Sequence, residues 1–185
     1  MVSLLLNWKP GLVIDLDSNR SSPLHFASSD GDCSIIKAIL AHAPPGAAHM
    51  QDNQGLSPLH AAALMGHAAA VRLLMQFSPA SADVRDKHGM SFLHVAAMKG
   101  HASIISHAAK NRMLEHHLNA QDRDGNTPLH LAVAAGEYNV VSKLLSSGKV
   151  QTHIMNNAGC TPSDLVKDCK GFYSMVMSLC IYTSL

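Results

Sequence analysis

Apolar residues occur along the chain in short clusters whose members lie three to four positions apart. Examples are residues 35–36 with 39–40, and residues 140–141 with 144–145. Residues with this spacing share one face of a helix. Each cluster ends at residues that disfavour helix, such as 43–46 (APPG) and 146–148 (SSG). The pattern predicts a series of short amphipathic helices joined by loops.

A motif of Ser or Thr followed by Pro, Leu and His precedes these clusters, with Phe92 in place of Pro in its third copy. It stands at residues 22–25, 57–60, 91–94 and 127–130, so its histidines are 35, 34 and 36 residues apart. A degraded copy stands at 161–164. Two more landmarks keep this register. Eight residues before the histidine position stand Asp17, Asp52, Asp86, Asp122 and Asn156. Six residues after it stand Gly31, Gly66, Gly100 and Gly136. The chain is therefore an internal repeat.

Each part of the motif is suited to the start or end of a helix. Ser or Thr is a favoured N-cap, and Pro at the first helical position costs nothing because its missing N–H has no partner there. The histidine falls at the third helical position, where a side chain reaches back to the cap in a capping box. We expect capping roles for Ser22, His25, Ser57, His60, Ser91, His94, Thr127 and His130. The Gly nine residues after each cap ends a first helix of about two turns.

The predicted unit is helix, turn, helix, and then an extended loop that leads to a turn at Asp-x-x-Gly. Two helices this short cannot bury an apolar face by themselves, so neighbouring units must stack. The predicted fold class is an all-α repeat solenoid. Arg20 stands at the glycine position of the first turn, and a side chain disfavours left-handed backbone. We therefore expect this hairpin tip to differ from the others.

Residues 122–136 read DRDGNTPLHLAVAAG, with parallel stretches from Asp52 and Asp86. The sequence resembles an ankyrin-repeat protein from about residue 17 to residue 166. This resemblance implies an ankyrin-repeat stack of helix-turn-helix units with β-hairpin-like loops. The predicted division is a partial N-terminal repeat (1–16), four repeats (17–51, 52–85, 86–121 and 122–155), and a degraded C-terminal repeat with an apolar tail (156–185).

A narrower resemblance is carried by residues 8–12 (WKPGL) and 23–31 (PLHFASSDG). These stretches are similar to plant ankyrin proteins that have a membrane-spanning C-terminal region, which is absent here. The chain also begins within a unit, because residues 4–6 (LLL) resemble the end of a second helix. We expect the chain to be a fragment or truncated product of a longer repeat array.

Composition excludes several classes of protein. With 47% hydrophobic residues and a net charge of +1, the chain is not disordered. Its 14 basic and 13 acidic residues give no surplus for nucleic-acid binding. The apolar stretch 172–185 is shorter than the roughly 20 residues that span a bilayer, so direct membrane insertion is not expected of this chain alone.

No chemistry of catalysis or metal binding is predicted. The chain has neither a Gly-x-Ser-x-Gly elbow nor a phosphate-binding loop. Neighbouring cap histidines are expected roughly 10 Å apart, whereas ligands lie about 2.0–2.1 Å from a zinc ion, so they do not share one. We predict no catalytic residue, metal, cofactor or small-molecule substrate, and hence no enzyme.

The resemblance implies that partners dock on the concave surface, at the hairpin tips and the residues before each helix-ending Gly. The candidate contact residues are Leu56, Leu64, Met65, Lys87, His88, Met90, Met98, Lys99, Arg123 and Asn126. Met side chains suit adaptable apolar recognition. The expected partner is an apolar helix or extended segment of another protein, flanked by acidic residues. The alternative is that some of these side chains simply pack between repeats.

Two functions are open at this point. The first is a protein–protein interaction module or scaffold in the cytoplasm. The second, implied by the plant resemblance, is the cytosolic sensor part of a membrane-anchored signalling or defence protein, at the cytoplasmic face of the plasma membrane. The tail at 171–185 is either a capping helix for the last repeat or the stub of a longer region.

Overall fold

The computed structural model describes residues 9–166 and contains eight α-helices and six short 3-10 helices in that range, with no β-strand there. The α-helices are α1 (Pro23–Asp30), α2 (Cys33–His42), α3 (Pro58–Leu64), α4 (Ala68–Phe77), α5 (Phe92–Met98), α6 (Ala102–Lys110), α7 (Pro128–Ala135) and α8 (Tyr138–Ser146). The 3-10 helices are Pro10–Ile14, Ala47–His49, Pro79–Asp83, Arg112–Leu114, His116–Leu118 and Pro162–Leu165. The predicted all-helical repeat fold is confirmed.

The chain divides into two compact units, Met1–Lys87 and His88–Leu185. In the first unit α1 packs against α3, and α2 packs against α4. The 3-10 helix Pro10–Ile14 packs against both α1 and α2. The core between these helices is formed by fully buried apolar side chains, of which the largest are Leu24, Ile36, Leu59 and Leu74. First helices therefore contact first helices, and second helices contact second helices.

The second unit repeats this arrangement with different side chains. Here α5 packs against α7, α6 packs against α8, and the 3-10 helix Pro162–Leu165 packs against α7. Phe92, at the position that Pro occupies in the other repeats, is fully buried and begins α5 from the cap Ser91. Pro is therefore replaceable at the helix start when the new side chain enters the core. The repeat boundaries given above stay predictions.

The loops between repeats are more helical than the extended conformation that the sequence indicates. Three of the 3-10 helices in these loops carry buried apolar residues: Ala47 and Ala48, Ala82, and Leu118. A further one, Arg112–Leu114, buries Leu114. Because these side chains contribute to the core, the loop must turn them inward, and a 3-10 turn does this within three residues.

The first hairpin tip does not differ from the others, contrary to expectation. Arg20 adopts φ +63°, in the same left-handed region as Gly55 at +79° and Gly125 at +77°. The N–H of Arg20 donates to the carbonyl of Asp17 at 3.0 Å, as Gly55 does to Asp52. The surrounding turn thus holds a side chain in a conformation that costs L-residues about 1–2 kcal/mol.

Candidate functional site

In three hairpin tips the aspartate that begins the turn organises it through its own side chain. Oδ1 of Asp52 accepts the backbone N–H groups of Gln54 at 2.8 Å and Leu56 at 2.9 Å. Asp122 does the same for residues 124 and 126, and Asp17 for residues 19 and 21. Asp and Asn are favoured in turns for this reason. The candidate contact residues Leu56 and Asn126 are therefore held by bonds within their own repeat.

Consecutive tips are joined by backbone hydrogen bonds. In the first unit the N–H of Asn53 donates to the carbonyl of Asn19 at 2.8 Å, and that of Lys87 to Gln54 at 3.2 Å. In the second unit the N–H of Arg123 donates to the carbonyl of His88 at 2.9 Å. These bonds place His88 and Arg123, two of the candidate contact residues, at neighbouring tips.

Glutamine side chains add hydrogen bonds between neighbouring hairpin tips, a role that the sequence did not predict. Nε2 of Gln51 donates to the carbonyls of Gly55 at 2.6 Å and Arg85 at 2.7 Å. Gln121 makes the equivalent pair of bonds in the second unit, to Gly125 and Met155. The signal in the sequence was a Gln immediately before the first residue of the turn in two of the repeats.

The cap histidines join adjacent repeats as well as starting helices. Nδ1 of His94 accepts the N–H of Ser91 at 3.1 Å, and its Nε2 donates to the carbonyl of Asn126 at 3.0 Å. His130 bonds in the same way to Thr127 and to the carbonyl of Cys160. Burial lowers the pKa of His130, and hydrogen bonds and nearby carboxylates only partly oppose that effect. These imidazoles are neutral structural groups without access to a partner.

Four candidate contact residues lie in the first unit, and none of them is buried. Leu56 and Leu64 are half-buried, whereas Met65 and Lys87 are exposed. Met65 follows the last residue of α3 and is 53% exposed, which makes it the most exposed apolar candidate of the ten. The carbonyl of Leu56 accepts the bond from His25, so the backbone of this residue serves the fold while its side chain is partly open.

Six candidates lie in the second unit. His88, Lys99 and Arg123 are exposed, and Met90, Met98 and Asn126 are half-buried. Oδ1 of Asn126 accepts a hydrogen bond from Nδ2 of Asn156 at 2.9 Å. This side chain therefore holds the next tip in place in addition to any contact with a partner. The remaining five present thioether, imidazole and basic groups on a helical end and two tips.

A comparison with protein-family models decides the class. The model described as ankyrin repeats (3 copies) matches residues 1–83, 24–122 and 76–156, which together are more than four-fifths of the chain. The chain belongs to the ankyrin-repeat family. Ankyrin repeats mark it as a protein–protein interaction module, and members of this family are typically not catalytic.

Two similar proteins match this chain over only a small part of its length and of their own. Oxysterol-binding protein homolog 2 of Saccharomyces cerevisiae is 47% identical over 51 residues, which are 28% of this chain and 4% of that protein. Transcription factor MBP1 of Kluyveromyces lactis is 40% identical over 58 residues, which are 31% of this chain and 7% of that protein. Because the matches span so little of either protein, their activities do not carry over. Both are yeast proteins, so the narrower likeness to plant ankyrin proteins is not supported by them.

The helices of this ankyrin chain are short. Across residues 9–166 none combines the length and the apolar character that crossing a bilayer requires. The tail at 171–185, for which a capping helix or a stub was predicted, lies outside the described residues.

Proposed function

We propose that this ankyrin-repeat protein binds an apolar helix or extended segment of another protein through the ten candidate residues, and that it performs no catalysis. The observation that carries the proposal is the exposure of Met65, which projects at 53% exposure from the end of α3 beside half-buried Leu64. A flexible, polarizable thioether adapts to varied apolar partners. Adjoining exposed apolar groups on a protein surface commonly mark contact sites.

The cationic candidates indicate the charge of the partner. Lys87, Lys99 and Arg123 are all exposed. Basic side chains around an apolar contact favour acidic residues in the partner, since complementary charge steers association and penalises like-charged competitors. The proposed partner segment therefore carries acidic residues beside its apolar contact.

Affinity purification with quantitative mass spectrometry tests the proposal in each unit separately. The variants are Met65→Asp in the first unit and Met98→Asp in the second. Met113→Asp is the matched control, because Met113 is 67% exposed and belongs to the 3-10 helix Arg112–Leu114, which contains none of the candidate residues. We expect one set of captured proteins to be lost from both variants and kept by the control. Retention of every captured protein by Met65→Asp would place the contact elsewhere.

Localisation and membrane attachment are separate matters. The sensor function in a membrane-anchored plant protein rests on the narrower resemblance alone. Residence in the cytoplasm, or at the cytoplasmic face of the plasma membrane, remains a prediction. Fractionation of the expressed chain tests it: recovery in the soluble fraction supports the interaction module acting by itself, and recovery in the membrane pellet supports the anchored protein.

A further inference from the structure

A second apolar surface lies in the first unit, on the second helices of the repeats and not on the tips or first helices. It is a shallow groove of about 370 Å³ between α2 and α4, lined by Lys37, Leu40, Ala41, Leu73, Gln76 and Phe77. Leu40 is buried and forms the floor, Leu73 is half-buried, and Phe77 is 51% exposed at the end of α4. An aromatic ring with half its surface in water is the costliest apolar exposure along this groove, because burying it fully is worth about 1.5–3 kcal/mol.

The groove has a basic rim without acidic neighbours on either helix. Lys37 lies on α2 and Arg72 lies on α4, one turn before Gln76, and both are exposed. Neither cation is paired with a carboxylate within residues 9–166. Neither helix contains Asp or Glu, and the carboxylate at the N-cap of α2, Asp32, is committed to the N–H groups of Ser34 and Ile35. One exposed positive charge thus lines the groove, and a second lies on α4 one turn from the lining residue Gln76.

Three of the apolar positions of the groove are polar in the second unit. Counted from the helix-ending glycines, Lys110, Lys143 and Ser147 stand where the first unit has Ala41, Leu73 and Phe77. Lys110 and Lys143 are exposed. The repeat fold therefore does not require apolar residues at these positions. Their presence in the first unit is a property of this surface and not of the architecture.

We propose that this groove binds an amphipathic helix of a partner protein, with apolar residues that cover Phe77 and Leu73 and acidic residues that meet Lys37 and Arg72. A helix that lays its apolar face into a groove between two helices is a common mode of peptide recognition. Charge complementarity selects this occupant over two others. A second copy brings the same two cations to the contact, and the apolar stretch 172–185 of this chain contains no acidic residue.

Selection from a library of 16-residue peptides displayed on phage tests the proposal on the full chain. The library is depleted first on the double variant Leu73→Lys/Phe77→Ser, which copies the residues at the corresponding positions of the second unit and so is compatible with the fold. Peptides that survive are synthesised, and their dissociation constants are measured by fluorescence anisotropy. We expect apolar residues three to four positions apart and an acidic excess, as the helical face requires.

The decisive comparison uses the charge-reversed variant Lys37→Glu/Arg72→Glu. The selected peptides are expected to bind it at least about tenfold more weakly than the native chain, a difference of roughly 1.4 kcal/mol. Met65→Asp, which alters the separate surface proposed above, is expected to leave their dissociation constants unchanged. Survival of no peptide, or equal affinity for the charge-reversed variant, overturns the proposal. Two further outcomes overturn it. One is that sedimentation velocity shows the native chain to be a dimer and the Leu73→Lys/Phe77→Ser variant to be a monomer. The other is that a synthetic peptide of residues 172–185 competes with the selected peptides.

Discussion

Nε2 of His25 lies 3.0 Å from the carbonyl oxygen of Leu56 and donates a hydrogen bond to it across the boundary between two repeats. Nδ1 of the same ring accepts the N–H of Ser22 at 3.0 Å. Because Nδ1 acts as an acceptor, the proton resides on Nε2 and the imidazole is neutral. One side chain thus starts a helix in its own repeat and holds the next repeat in place. Protonation at Nδ1 places the ring N–H opposite the backbone N–H of Ser22, so that two donors face each other, and it weakens this contact between repeats.

The free energy of unfolding should therefore decrease as the pH falls through about 6.5, the usual pKa of histidine. Burial is the largest cause that lowers the pKa of His25 and His130 in the folded chain. The unfolded chain consequently binds more protons than the folded chain just below pH 6.5, which favours unfolding. Urea denaturation followed by circular dichroism is expected to give a lower midpoint at pH 5.5 than at pH 7.5.

A double variant, His25→Gln/His130→Gln, provides the comparison for this effect. Glutamine keeps an amide at the capping position but does not titrate. The difference in midpoint between the two pH values should shrink in this variant, and an unchanged difference would assign the pH dependence to other histidines. Carboxylates act in a separate range. Hydrogen bonds from Ser34 and Thr161 lower the pKa of Asp32 and Asp164 from 3.8, so their contribution is complete above that value and is lost below it, as the pH falls through the lowered pKa of the folded chain.

Arg20→Gly is expected to stabilise the chain. Arg20 holds φ +63° in a turn that the other repeats build with glycine, and glycine adopts this conformation without steric cost. Relief of that cost is worth up to about 1 kcal/mol after the greater flexibility of unfolded glycine is subtracted. Thermal unfolding measures it as a rise in Tm.

The reverse change at the next tip should be destabilising. In Gly55→Ala the new Cβ lies 2.8 Å from the backbone nitrogen of Lys87, and φ is +79°. Backbone is unable to move aside as a flexible side chain does, so a Tm below that of the native chain is expected. A Tm that Arg20→Gly lowers, or that Gly55→Ala leaves unchanged, contradicts this account of the tips.

Gly31 and His67 are expected to show strong energetic coupling. A Cβ at Gly31 lies 2.5 Å from Cγ of His67, whose Nε2 is 2.9 Å from the carbonyl of Ser29 at the end of α1. Gly31→Ala therefore costs about 1–2 kcal/mol for its left-handed backbone and more for displacing the ring. In the His67→Ala background the cost of displacing the ring disappears, and only the cost of the left-handed backbone remains. A double-mutant cycle by urea denaturation should give a coupling of about 0.5–3 kcal/mol, and additive costs would show that the ring moves aside freely.

Most of the fold follows from local signals in the sequence. The start of each first helix is marked by Ser or Thr at the cap and by the residue after it, and its end by the Gly nine positions after the cap. In the structure α1 and α7 end at the left-handed residues Gly31 and Gly136. The three-to-four-residue spacing of the apolar clusters then predicts where the second helices lie. These features are predictable because each depends on residues within one turn of one another.

What the sequence did not reveal depends on contacts between repeats. The bond from His25 to Leu56 joins residues 31 positions apart, and its acceptor is a backbone carbonyl that carries no side-chain signal. The left-handed conformation of Arg20 is imposed by the turn around it. The groove beside Phe77 does not follow from the repeat motif, which concerns caps and tips, although Leu73 and Lys143 stand at corresponding positions of the two units.

Methyl NMR of the methionines tests the proposed binding surface most directly. The chain has ten Met residues, and selective ¹³C labelling of their methyl groups gives a probe at each. The labelled chain is titrated with a purified protein that Met65→Asp fails to capture in the affinity experiment. The account predicts shifts at Met65, Met90 and Met98, while Met113 and Met155, which are 67% and 60% exposed but outside the candidate set, stay unchanged. Shifts at Met113 or Met155 with a stationary Met65 signal would contradict it.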